Sequence, residues 1–131
     1  MKRAADPTQV AVADATILIV DDEPDIRALM QQYLADIVST VYAASSSSAA
    51  LDLLRERDID ILMVDVVMPD LNGFSLARRA LEIRPSLRIL YMSGFAETTR
   101  HSPTRSGQAH FLAKPCRFRD VDRAIRALMA A

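Results

Sequence analysis

Three carboxylates, a hydroxyl and an ammonium fall at the ends of short apolar runs. Asp21 and Asp22 follow Ile17-Leu18-Ile19-Val20, Asp65 follows Ile61-Leu62-Met63-Val64, Ser93 follows Ile89-Leu90-Tyr91-Met92, and Lys114 follows His110-Phe111-Leu112-Ala113. Carboxylates crowded together repel one another, and a divalent cation among them makes their ionised forms tolerable. Oxygen ligands without histidine or cysteine suit Mg2+, which keeps several waters beside one or two carboxylates. Asp21, Asp22 and Asp65 are the magnesium candidates. A carboxylate beside such a cation is also a nucleophile toward a phosphoryl group, with Lys114 and Ser93 available to grip the transferring oxygens. No glycine-rich phosphate loop accompanies these residues, so a nucleotide is not the substrate they suggest.

That chemistry requires the apolar runs to be strands of one sheet with a shared edge. Ile17–Val20, Ile59–Val64, Leu87–Met92 and His110–Ala113 read as strands, the uninterrupted runs as strands buried on both faces, and Val38–Ala44 as a weaker strand. Helices are expected between them. Pro24 suits a first helical turn, and Ile26, Leu29, Met30, Tyr33, Leu34 and Ile37 recur as one apolar face. Ser45–Ser48 supplies an N-cap before Ala49, Ala50, Leu53 and Leu54. After an Asn72-Gly73 turn, a third helix carries Phe74, Ala77 and Leu81 inward until Arg84-Pro85 stops it. Val121, Ala124, Ile125, Leu128 and Met129 mark the last helix. Pro103 and Gly107 argue against a long helix in the segment 95–108, which is expected to be the least ordered connection. Alternating strands and helices predict a mostly parallel α/β sheet covered on both faces, with ligands beyond the carboxyl ends of its strands.

The chain of 131 residues, 50% of them hydrophobic, is sized for one domain. The expected division is a flexible tail at 1–15 and a folded domain at 16–131. A net charge of -1 provides no drive toward nucleic acid or anionic membrane, so neither is an expected partner. The single cysteine, Cys116, cannot form an internal disulfide, and a reducing cytoplasm is the natural compartment. Lys2 and Arg3 precede no apolar signal-peptide core, and no run is long enough to span a membrane. A soluble cytoplasmic protein is expected.

In this order the residues resemble the receiver domains of two-component response regulators. The resemblance covers Thr16 to about Ala130 and rests on Asp21-Asp22, on Asp65 with Met68-Pro69-Asp70 and Gly73, on Ser93, and on Lys114-Pro115. Tyr91-Met92-Ser93-Gly94-Phe95-Ala96 is similar to receivers that stand alone or belong to hybrid histidine kinases. The resemblance implies a five-stranded parallel sheet, doubly wound and flavodoxin-like, in strand order 2-1-3-4-5. It implies that Asp65 accepts a phosphoryl group from a phosphohistidine on a histidine kinase or histidine phosphotransfer protein. Asp22 and Asp65 would ligate Mg2+ directly, Asp21 largely through water, and the Val67 carbonyl would complete the site. Ser93 and Lys114 would hold phosphoryl oxygens. Ser93 and Phe111 would be the switch residues, Phe111 acting through packing because it lacks the usual tyrosine hydroxyl. The Lys114-Pro115 bond is usually cis in this family.

Two departures from the family pattern carry consequences. Val67 and Phe95 stand two residues after Asp65 and Ser93, where many receivers place polar groups that orient hydrolytic water, so slow self-dephosphorylation is expected. The Pro- and Gly-containing connection before the last strand puts a standard receiver dimer in doubt, leaving a monomer or weak dimer as the expectation. Taken singly, each feature has a plain structural reading. Asp21 and Asp22 alone would be favourable charges near a helix N-terminus, Asp70 a turn residue, His101 and His110 ordinary surface or strand-end residues, and Cys116 inert. The expected function is a stand-alone phosphoacceptor receiver, not an enzyme beyond its own phosphotransfer and slow dephosphorylation, with a possible protein target for its phosphorylated form. The alternatives are a receiver excised from a hybrid kinase or transcription factor, a small Mg2+-dependent phosphohydrolase acting through Asp65, and a flavodoxin-like cofactor binder. The phosphohydrolase lacks a second acid two residues beyond Asp65 and a cap domain.

Overall fold

The computed structural model describes residues 12–67, 72–93, 108–114 and 116–130. Its elements are β1 (Thr16–Val20), α1 (Pro24–Ala35), β2 (Thr40–Ala44), α2 (Ser47–Glu56), β3 (Ile61–Asp65), α3 (Gly73–Ile83), β4 (Arg88–Ser93), β5 (Ala109–Ala113) and α4 (Phe118–Ala130). The strands form one sheet in the order β2-β1-β3-β4-β5, every neighbouring pair parallel. β1, β3 and β4 lie inside the sheet and are buried almost throughout, as their uninterrupted apolar runs require. The edge strands β2 and β5 are largely half-buried, which accounts for their weaker pattern.

Alternation along each strand divides the core in two. Leu18, Val20, Leu62, Val64 and Tyr91 face one side and pack with Leu54 of α2 and Leu76 of α3. Ile17, Ile19, Met63 and Leu90 face the other and pack with Leu34 of α1 and Ile125 of α4. Val12 and Ala15, both 1% exposed, belong to this second core. The packed body therefore begins ahead of Thr16, inside the segment expected to be a tail. Short side chains without a clear period gave no signal that these two positions meet α1 and the sheet.

The helices are defined locally by their first residues. Pro24 opens α1, the Ser46 hydroxyl accepts a hydrogen bond from the Ala49 N–H at the start of α2, and the Asn72 side chain accepts one from Ser75 at the start of α3. Asn72-Gly73 is thus the N-cap and first residue of a helix, not a separate turn. On α3 the buried positions are Gly73, Leu76, Ala77 and Ala80, while Phe74 and Leu81 pack at the rim. On α1, Met30 and Leu34 are buried, but Leu29 is 57% exposed instead of facing the core. Leu29 stands one residue before Met30, about 100° round the helix, and that rotation carries it off the buried stripe.

Candidate functional site

Because all five strands are parallel, their carboxyl ends meet at one edge. Asp65 and Ser93 are the last residues of β3 and β4, and Asp21 and Lys114 each follow the last residue of a strand. Adjacent backbones are tied at these tips. Lys114 N–H donates to the Ser93 carbonyl at 2.8 Å, Val66 N–H to the Met92 carbonyl at 2.9 Å, and Asp21 N–H to the Ala44 carbonyl at 3.3 Å.

The side chains converge on this frame. Oxygens from Asp21, Asp22 and Asp65 all lie within 4.8 Å of one another. Asp21 is 3% exposed and Asp65 9%, whereas Asp22 is open to solvent. Lys114 Nζ donates to Asp65 Oδ2 at 2.7 Å and stands 3.6 Å from Asp21 Oδ2. The second oxygens of both aspartates accept backbone N–H groups, Asp21 from Glu23 at 2.9 Å and Asp65 from Val67 at 3.1 Å. Each carboxylate is therefore aimed by its own loop, and one shared ammonium offsets part of their joint charge. Partial burial opposes the charge on Lys114, but its hydrogen bond to Asp65 and the carboxylates of Asp21, Asp65 and Glu23 outweigh it and raise its pKa.

The donor set fits a small hard cation: three carboxylates from two loops, one of them solvent-exposed, and no nitrogen or sulfur donor. Ser93 is 5% exposed at the neighbouring strand tip, and the Val67 side chain is 58% exposed beside Asp65. Phe111 on β5 stacks on Tyr91 with centroids 4.8 Å apart, and Phe74 meets Tyr91 at 4.9 Å. Cys116 is half-buried, and burial together with Asp120 raises its thiol pKa despite the opposing Lys114 charge, in keeping with an unreactive thiol. The expectations for Asp70, Phe95, His101, the segment 95–107 and the peptide bond at Pro115 lie outside the described residues.

Two features of the site were not singled out from the sequence for what they do. A Cβ on Gly73 would lie 2.6 Å from the Asp65 carbonyl oxygen and 2.8 Å from the Val66 Cα, so only glycine lets α3 begin against the tip of β3. Gly73 N–H also donates to the Val66 carbonyl at 2.7 Å. The second feature is Arg27, whose Nη1 donates to the Asp21 carbonyl at 2.7 Å. Beside the acidic cluster, Leu29, Met30, Met92, Cys116, Phe118 and Lys114 line an apolar cleft of about 370 Å3.

Comparison with known proteins agrees with the fold. The chain fits the family model of the response regulator receiver domain over residues 17–126. It is 32% identical over 116 residues to the response regulator receiver protein CpdR of Brucella abortus, covering 88% of this chain and 97% of that one. It is 30% identical over 119 residues to the sensor kinase CckA of the same organism, of which it spans 12%. A solved receiver protein from Sinorhizobium medicae superposes with a TM-score of 0.81 at 29% identity, covering 90% of this chain and 96% of the other. Among the described residues no helix is long and apolar enough to cross a membrane.

Proposed function

The chain belongs to the response regulator receiver domain family, and from that premise we propose that Asp65 accepts a phosphoryl group from a phosphohistidine on a partner kinase or phosphotransfer protein. An Asp65 carboxylate oxygen bonds to phosphorus as the phosphorus–nitrogen bond to the partner imidazole breaks. The observation that carries the reading is the Lys114–Asp65 contact at 2.7 Å on the strand-tip edge. A cation already bound to the nucleophile's oxygen is placed to follow the charge onto the phosphoryl group. Asp22 and Asp65 would hold Mg2+ directly, Asp21 largely through water, with the Val67 carbonyl as a further ligand. Bound there, Mg2+ would neutralise charge on the transferring oxygens.

Ser93 on β4 would donate to a second phosphoryl oxygen. Its movement would draw in the backbone that follows and alter the packing of Phe111 on Tyr91. The modification adds roughly -1.5 to -2 charge at this edge, which biases two pre-existing states of the domain. The cleft next to Lys114 offers apolar surface within reach of Asp65, as contact with a phosphohistidine-bearing protein would need. Intact mass after incubation with acetyl phosphate tests the reading. One phosphoryl adduct is expected in the presence of Mg2+, and none after chelation or in Asp65→Asn. An adduct that persists in Asp65→Asn overturns the assignment.

A further inference from the structure

We propose that Arg27 is the positioning residue for Asp22, fixing the loop that presents this carboxylate to Mg2+. The inference rests on the reading of Asp21, Asp22 and Asp65 as a magnesium set. Asp22 is the exposed member of the three, while Asp21 and Asp65 are buried and each receives a loop N–H. Its direction must therefore come from the backbone on either side of it. The carbonyls of both neighbouring residues, Asp21 and Glu23, are bonded to Arg27. The Asp21 carbonyl, which belongs to the peptide joining Asp21 to Asp22, accepts from Arg27 Nη1 at 2.7 Å. The Glu23 carbonyl accepts from the Arg27 backbone N–H at 3.0 Å, closing the first turn of α1.

One residue thus brackets Asp22, its backbone holding the carbonyl of the residue after it and its side chain the carbonyl of the residue before it. The backbone bond is common to any helix start. The side-chain bond is particular to this residue, because it fixes the plane of the Asp21–Asp22 peptide. A guanidinium suits this role: it is always charged, its hydrogen bond to a carbonyl is charge-assisted, and its long stem follows apolar surface. The Arg27 side chain borders a small void behind the cluster, shared with Met30, Met63, Asp21 and Asp65. Its positive charge taken alone would repel a divalent cation, so orientation and charge predict opposite effects when the side chain is neutralised.

That opposition makes the experiment decisive. Mg2+ alone is titrated into the intact chain while the Asp22 and Glu23 amide signals are followed by NMR, with melting temperature measured in parallel. Arg27→Met should weaken Mg2+ binding about tenfold, the low end of what loss of an outer-shell partner costs in metal affinity. Arg27→Lys, which keeps the charge and a shorter donor, should recover part of that loss. Unchanged or tighter binding in Arg27→Met overturns the inference, as does binding in Arg27→Lys no better than in Arg27→Met. A wild-type chain that does not bind Mg2+, or an Asp22→Asn variant that binds it equally well, would instead overturn the underlying metal assignment and this inference with it.

Discussion

Lys114 is the residue on which the site's electrostatics turn. Its raised pKa means that folding favours the charged ammonium, so its contribution to stability is fully present below the unfolded lysine value of about 10.4 and is lost as pH rises through the higher folded value. The stability difference between wild type and Lys114→Met, followed by denaturant melts, should be constant near neutrality and shrink only in that alkaline window. A difference that vanishes at neutral pH would contradict the ion pair. On the proposed function, Val67 bears at the same scale on the lifetime of the phosphoryl group. Its exposed apolar side chain, 58% accessible beside Asp65, has no group to orient a water toward the acyl phosphate. Val67→Asn should speed loss of the phosphoryl group roughly tenfold, below the 10²–10⁴ range of a positioned acid or base. Rapid loss from wild type, unchanged by the substitution, would contradict it.

At the scale of elements, the approach of α3 to the tip of β3 is the tightest constraint. With a Cβ placed 2.6 Å from the Asp65 carbonyl, Gly73→Ala must push the helix start away or twist the peptide that carries the acceptor. Overpacking of this kind costs about 1–3 kcal/mol. The variant should melt earlier and form adduct with acetyl phosphate more slowly; wild-type behaviour in both assays would show that the contact relaxes freely. This constraint was invisible in Asn72-Gly73 itself, which reads as a turn because those residues favour turns in isolation. Only the approach of another strand makes the glycine obligatory. The strands were legible for the opposite reason: Ile17–Val20 and Ile61–Val64 are buried on both faces, and a continuous apolar run has few other uses. Helix stripes were legible in direction but not in extent, so Leu29 looked inward although Met30 and Leu34 define the buried face. The Asp21, Asp22, Asp65, Ser93 and Lys114 constellation could be seen because each member stands at or just past the end of a strand. Arg27 could not, because its partner is a backbone carbonyl, which any residue could have supplied.

The whole molecule is a sheet between two separate apolar layers, with the acidic edge at one end of both. The layer under α1 and α4 extends to Val12, so Val12→Ala should destabilise the domain by roughly 1–2 kcal/mol at about 0.8 kcal/mol per methylene removed. A neutral effect in chemical denaturation would restore the boundary at Thr16. The other layer holds the Phe74, Tyr91 and Phe111 rings, which connect β4 and β5 to the start of α3. The proposed function centres on one chemical event, and the most direct measurement locates it. Borohydride reduction of the phosphorylated chain converts an aspartyl phosphate to homoserine, and peptide mass spectrometry then reads its position. A single homoserine is expected at Asp65, absent without Mg2+; homoserine at Asp21 or Asp22, or none from a chain that carries the phosphoryl adduct, would overturn the assignment of Asp65 as the acceptor.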